Sequence, residues 1–292
     1  MNKFLGTGVA MVTPFDQDGS IDYQGLSKLI NYQIDGGVEY LVSLGTTGES
    51  ATLTKSEKEA VWKFTAEVVN KRVPLMAGIG GYSTSEVLES LKKFNTEGYD
   101  AILSVSPFYN KPTQEGIYQH YKAIAEESPL PVLIYNVPGR TGSNISPETT
   151  LRLAHYCSNI FGTKEASGNF EQFNAILRDK PEDFLFISGD DGITLPLIAM
   201  GGSGIISVAG NAIPRQLSDL VRLCLAGDFK TASPIHLKLT SFFSKLFAEN
   251  NPGGIKSALK HIGICHDYLR LPLCPVSEQN SKAIRLELEK II

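Results

Sequence analysis

Short apolar runs alternate with amphipathic stretches eight times along this chain. That alternation constrains the fold more than any other feature. The runs are Thr7–Thr13, Tyr40–Leu44, Pro74–Ile79, Ala101–Ser106, Val132–Tyr135, Ile160–Thr163, Phe184–Ser188 and Gly204–Val208. Several, such as Val132-Leu133-Ile134-Tyr135 and Phe184-Leu185-Phe186-Ile187, are apolar almost without interruption. Strands covered on both faces read this way, as in parallel sheets. Helix-start signals lie between the runs. Thr54-Lys55-Ser56-Glu57 and Ser83-Thr84-Ser85-Glu86 have the form of capping boxes, Asn169 with Gln172 has the same form, and Ser146-Pro147 is an N-cap followed by proline. Gly36-Gly37, Gly98, Gly201-Gly202 and Gly227 mark helix ends. Eight such units within roughly 230 residues predict a (β/α)8 barrel, a TIM barrel of the α/β class. A doubly wound open sheet would want a glycine-rich turn after the first strand. Thr13-Pro14-Phe15-Asp16 follows instead.

The remainder carries no strand pattern. It predicts three helices, around Pro234–Ala248, Gly254–Ile264 and Ser277–Ile292. No linker or charge block sets it apart. The expected organisation is therefore a barrel over 1–229 with a helical extension over 230–292 packed on it. The stretch from Gly192 to Pro214 has no charged residue and is long enough to suggest a membrane span. Pro196, Gly201, Gly202, Gly204 and Gly210 interrupt it, which predicts a buried helix followed by a buried strand.

Net charge is −4, with 20% charged and 42% hydrophobic residues. A folded protein is expected, with neither nucleic acid nor an anionic membrane as its main partner. Cys157, Cys224, Cys265 and Cys274 form no C-x-x-C pair, and scattered free thiols fit a reducing cytoplasm. The residues from Met1 to Gly6 lack the apolar core of a signal peptide, so a cytoplasmic location is expected. All five histidines fall in predicted helices or the extension, which argues against a histidine metal site.

In a barrel of this kind the active site forms at the C-terminal ends of the strands. The sixth run ends on Lys164. An ammonium at the end of a buried strand is costly unless paired or discharged, and a discharged amine attacks carbonyl carbon. A surface lysine balanced by Glu165 is the plainer alternative. Thr46 and Thr47 lie between glycines after the second run, where hydroxyls and N–H groups suit a carboxylate or merely a turn. Tyr135 ends the fifth run, one strand from Lys164, and reads equally as a core tyrosine with a wet hydroxyl. Arg140 sits in a Pro-Gly turn, fit for a fork on a carboxylate or for solvent.

Five motifs, taken in order, decide among these alternatives. They are Gly45-Thr46-Thr47-Gly48-Glu49-Ser50, Ser106-Pro107-Phe108-Tyr109-Asn110-Lys111-Pro112, Tyr135-Asn136-Val137-Pro138-Gly139-Arg140-Thr141, Lys164-Glu165-Ala166-Ser167-Gly168 and Ser188-Gly189-Asp190-Asp191. With them the whole chain resembles the dihydrodipicolinate synthases, within the pyruvate-dependent class I aldolases that include N-acetylneuraminate lyase. The resemblance implies a lyase that joins pyruvate to L-aspartate 4-semialdehyde on the route to diaminopimelate and lysine, without cofactor or metal. Lys164 would form the imine. Thr46 and Thr47 would hold the pyruvate carboxylate. Thr46, Tyr135 and Tyr109 would relay protons. Tyr109 would come from a neighbouring subunit, giving a dimer and then a homotetramer. Arg140 would bind the acceptor carboxylate, and Gly189 and Ile206 would line the pocket with backbone groups. Arg140 separates this reading from the sialic-acid lyases, which carry an apolar residue there. A sister sugar-acid aldolase and a non-catalytic keto-acid-binding barrel are the other readings.

The same resemblance implies a regulatory pocket for lysine at the dimer interface. Ser50, Ala51 and Glu86 match it. Lys55 and Lys58 replace histidines, Tyr82 replaces an asparagine and Phe108 a tyrosine. Each added ammonium would oppose a cationic ligand by roughly 3 kcal/mol at ~5 Å and an effective dielectric near 20. Weak or absent inhibition by lysine is expected.

Overall fold

The computed structural model describes residues 2–292. Eight parallel strands close in sequence order into one barrel: β1 (Gly6–Ala10), β2 (Tyr40–Ser43), β3 (Leu75–Gly78), β4 (Ala101–Val105), β5 (Val132–Asn136), β6 (Ile160–Glu165), β7 (Leu185–Ser188) and β8 (Gly204–Ser207). Around them run α1 (Tyr23–Asp35), α2 (Lys55–Val69), α3 (Thr84–Lys93), α4 (Gln114–Glu127), the single turn α5 (Pro138–Thr141), α6 (Pro147–Tyr156), α7 (Phe170–Asp179), α8 (Thr194–Ala199) and α9 (Pro214–Leu225). Three helices follow: α10 (Phe229–Phe247), α11 (Gly253–His261) and α12 (Glu278–Leu288). The uncharged stretch from Gly192 to Pro214 holds α8 and β8, as expected. Among the described residues no helix is long and apolar enough to cross a membrane.

Strand alternation builds two apolar layers. Leu133, Tyr135, Phe161, Leu185, Ile187 and Ile206 belong to the cluster inside the barrel, while Val132 and Ile134 join the larger cluster between strands and helices. Phe4 plugs the N-terminal end, its ring stacked on Phe161 at 5.4 Å and edge-on to Tyr40 at 5.3 Å. The outer cluster runs on without a break into the last three helices through Phe242, Leu246, Ile255, Leu259 and Ile284.

Four expectations change in detail. β1 ends at Ala10, not Thr13, because the residues beyond it bond elsewhere. Val12 donates to Asn211 Oδ1 at 3.2 Å, and the Thr13 hydroxyl donates to the Gly48 carbonyl at 2.7 Å. β6 continues through Lys164 to Glu165, since both residues keep register with β5 and β7. α3 stops at Lys93, well before Gly98, where Phe94 turns extended and packs on Trp62 and Tyr99. The predicted boxes at Thr54 and Ser83 form as caps, the first with both reciprocal bonds. Asn169 caps α7, but the Gln172 side chain turns inward instead of completing a box.

Barrel closure depends on one glycine pair. Gly6 and Gly204 are register partners where β1 meets β8. Gly204 has φ +136°, and a methyl group there would lie 2.0 Å from the Gly6 carbonyl oxygen. Gly204→Ala should therefore destabilise by at least about 3 kcal/mol, since backbone cannot yield as side chains do. Gly227→Ala, also at positive φ but with open space around it, should cost only about 1 kcal/mol. Denaturant melts of the two variants test this, and equal losses would contradict it.

Candidate active site

The centre of the site is a cross-strand pair. Tyr135 on β5 lies beside Lys164 on β6, and the Lys164 ammonium sits 4.2 Å from the centre of the Tyr135 ring. Both side chains are buried in the mouth of the barrel. Burial brings Lys164 down to about 7; the Asp191 carboxylate resists the fall and Arg140 adds to it. The amine is thus drawn toward its neutral form near neutrality. Burial pushes the Tyr135 phenol up to about 12, against the pull of Arg140 and of the nearby Thr46 hydroxyl. At neutral pH Tyr135 keeps its proton. Gly189 presses on the same spot: a methyl group there would come within 3.1 Å of Lys164 Cε and 2.7 Å of Ala166 Cβ. Ile206 lines the barrel interior.

β2 lies four strands from β6, across the barrel. Its loop turns sharply, with Leu44 and Glu49 at φ +56° and +53° flanking the 3-10 turn Thr46–Gly48. Thr46 is exposed in the cavity and reaches Tyr135. Thr47 is buried, and its oxygen accepts a hydrogen bond of 3.1 Å from Asn251 Nδ2. Arg140 stands exposed on α5, and among the described residues no carboxylate pairs with its guanidinium.

The fold brings Lys164, Tyr135, Thr46 and Gly189 together, with Arg140 near enough to bias both Lys164 and Tyr135. It does not bring in Tyr109 of the same chain. That residue is 89% exposed at φ +75°, on the loop after β4. The suggested regulatory positions form a neighbouring region. A cavity of about 100 Å³ is lined by Thr46 and Tyr135 and also by Ser50, Lys58 and Trp62. Lys58 and Trp62 also line an adjoining groove of about 170 Å³, together with Lys55 and Glu86. Tyr82 meets Phe108 edge-on at 5.3 Å, and Ala51 is exposed. Burial and the nearby Lys55 charge lower the Lys58 ammonium.

Several supporting residues take roles that differ from, or go beyond, those expected from the sequence. Glu165 is not a surface counter-charge to Lys164. One residue further along β6, it faces the helix layer and is fully buried. It accepts from Asn136 Nδ2 at 3.0 Å, Gln172 Nε2 at 3.0 Å and the Ser167 amide at 2.7 Å. Asn144 joins the group by donating to Gln172. Burial nevertheless raises the Glu165 carboxyl. Asp191 accepts from the Ser207 hydroxyl and from the amides of Val208 and Ala209, tying β7 to β8. Burial lifts it to about 6. Period-two spacing was the available signal for Glu165. Asn251 and Lys256, which hold the β2 loop from the C-terminal helices, carried none.

The chain matches the model of the dihydrodipicolinate synthetase family over residues 3–291. It belongs to that family. A 4-hydroxy-tetrahydrodipicolinate synthase of Parabacteroides distasonis is 52% identical over 98% of this chain and 96% of its own. The crystal structure of dihydrodipicolinate synthase from Aquifex aeolicus is 41% identical, covers 98% of each chain and superposes with a TM-score of 0.95. That of the Acinetobacter baumannii enzyme complexed with pyruvate is also 41% identical, with a TM-score of 0.95 over 99% of each chain. Such relatives make this chain a lyase of the same family.

The electrostatics give a pH signature. Borohydride trapping of a 2-keto acid on the protein should rise with pH around a midpoint near 7, following the neutral amine. Asp191 favours the ammonium, so Asp191→Asn removes that support and should move the midpoint down. Initial trapping rates across pH check the direction, and an upward shift would contradict it.

Proposed function

We propose that the enzyme condenses pyruvate with L-aspartate 4-semialdehyde to 4-hydroxy-tetrahydrodipicolinate through an imine on Lys164. The carrying observation is a buried lysine whose ammonium sits 4.2 Å from the ring of a buried tyrosine on the next strand, with a threonine turn across the barrel. The neutral amine attacks the ketone carbon, and the ketone oxygen leaves as water after taking up two protons. Loss of a methyl proton then gives an enamine, with the imine nitrogen as electron sink. The enamine carbon attacks the aldehyde, whose oxygen takes a proton; the acceptor's own amino group then attacks the imine carbon, closing the ring and expelling the Lys164 amine, so that the cyclic imine leaves as product. Tyr135, which keeps its proton at neutral pH, is the acid, with the Thr46 hydroxyl beside it. The proposal needs no metal or cofactor.

Thr46 and Thr47 hold the pyruvate carboxylate, with Gly189 and Ile206 shaping the wall. Arg140, free of any carboxylate partner, binds the acceptor's own carboxylate. Tyr109 projects into solvent on strained backbone, which suits a residue that completes a second subunit's site. The working assembly is then a dimer, paired into a tetramer, acting in the cytoplasm. Residues 1–229 form the catalytic barrel and 230–292 an extension.

Pyruvate offered with aspartate semialdehyde, N-acetylmannosamine or glyceraldehyde tests the acceptor. The expected result is strong preference for aspartate semialdehyde, with Lys164→Ala below about 1% of parent activity and without trapped adduct. Preference for a sugar aldehyde would overturn the acceptor, and a trapped adduct in Lys164→Ala would overturn the nucleophile.

Lysine inhibition should be weak. Lys55 and Lys58 face the groove with Glu86, and a cationic ligand meets both ammonium groups. Half-inhibition by low-millimolar lysine at physiological salt would refute this.

A further inference from the structure

The reading of Thr47 as a carboxylate ligand leaves open what aims its hydroxyl. A threonine hydroxyl has one proton to donate and can also accept. If the proton is spent inside the protein, the oxygen turns its lone pairs toward a substrate carboxylate and repels it. In this chain the oxygen of Thr47 is occupied by the Asn251 amide, which donates at 3.1 Å. Among the described residues no group accepts the Thr47 proton. Both side chains are buried, at 3% and 8% exposure, so water does not readily take over either role.

The Asn251 side chain has Thr47 as its one hydrogen-bond partner among the described residues, with its Oδ1 buried and unpaired, and it is the segment carrying it that the surroundings hold in place. Asn251 begins the turn into α11, where Asn250 Oδ1 accepts from the Gly253 amide at 2.8 Å. One helical turn on, Lys256 meets Glu49 at 2.5 Å with both side chains fully buried, and Lys256 also donates to the Tyr268 carbonyl at 2.9 Å. Glu49 closes the Thr46–Gly48 turn. The Arg270 amide donates to the same carboxylate at 3.2 Å, and its guanidinium binds Glu57 and the Thr52 carbonyl. The threonine turn and the start of α11 are thereby fixed relative to each other on both sides of the Asn251 contact.

We infer that Asn251 is a positioning residue for the family's reaction: by donating to Thr47 it directs the Thr47 hydroxyl to donate to the carboxylate of the keto acid. This rests on the reading of Thr47 given above. Asn251 touches neither the substrate nor Lys164. It works through one hydroxyl, and from a segment that contributes no strand to the barrel.

The test is a double-mutant cycle on the purified full chain, read as KM for pyruvate, KM for the aldehyde and kcat. Asn251→Ala should raise the pyruvate KM about 5- to 10-fold, the scale of one ordinary hydrogen bond, because the Thr47 hydroxyl stays and loses only its orientation. The aldehyde KM and kcat should move less than twofold. Thr47→Val, which keeps the shape and removes the hydroxyl, should raise the pyruvate KM at least as much. On the Thr47→Val background, Asn251→Ala should add nothing. If Asn251→Ala folds poorly, Asn251→Asp keeps the volume and reverses the bond, because a carboxylate accepts from Thr47. Its loss on pyruvate should likewise vanish on the Thr47→Val background. Full additivity in either cycle would overturn the inference, since Asn251 would then act by another route. So would an unchanged pyruvate KM in Asn251→Ala beside a weakened Thr47→Val. An unchanged pyruvate KM in Thr47→Val would overturn the reading of Thr47 itself, and the inference with it.

Discussion

The last two residues of β6 face opposite ways, and the chemistry depends on that. A strand has period two, so when β6 runs through to Glu165 its lysine turns into the barrel and its glutamate into the helix layer. Were the strand one residue out of register, the carboxylate would occupy the cavity and the amine would lie among Asn136, Asn144 and Gln172. Glu165 guards against that slip. Its three hydrogen bonds are available only on the outer face, and a buried carboxylate without them is expensive. Asn136 is at once the neighbour of Tyr135 and a partner of Glu165. The group that fixes the lysine thus also fixes the tyrosine beside it.

Two deeply buried lysines in one chain show what pairing does to the same side chain. Lys256 touches Glu49 and a carbonyl, and nothing leaves it an open approach. Removing one partner of such a pair strands the other charge, so the pair holds position more than it adds net stability. Lys164 faces a cavity, and its one carboxylate influence, Asp191, is already occupied by a hydroxyl and two backbone amides. Burial is the largest influence on both ammonium groups and lowers each. What differs is access: Lys256 is enclosed with its carboxylate partner, whereas Lys164 faces the cavity.

Much of this was legible in the sequence. All eight strands were placed within a few residues, because a closed parallel barrel needs apolar runs that few other folds tolerate. Lys164 and Tyr135 could be paired because strand order in such a barrel is spatial order. What was hidden has a common cause. Asn251, Lys256 and Arg270 act on residues more than 200 positions earlier, and no local pattern marks such a contact. Gln172 was read as a local capping partner because sequence favours near neighbours, whereas Glu165 had the stronger claim on it. Glu165 is concealed because the apolar run stops at Thr163, two residues before the strand does.

The long reach of those contacts has a consequence for how the protein is made. Synthesis runs from the N-terminus, so the threonine turn after β2 leaves the ribosome long before the residues that secure it. Glu49 remains without its lysine and Thr47 without its amide until the segment around Asn251 to Arg270 emerges. Between the emergence of β8 and that of Asn251 the chain holds all eight strands of the barrel without a secured threonine turn. A chain cut short between β8 and Asn251 would hold the buried lysine of β6 while the turn across the barrel from it lacked both of its far-reaching partners.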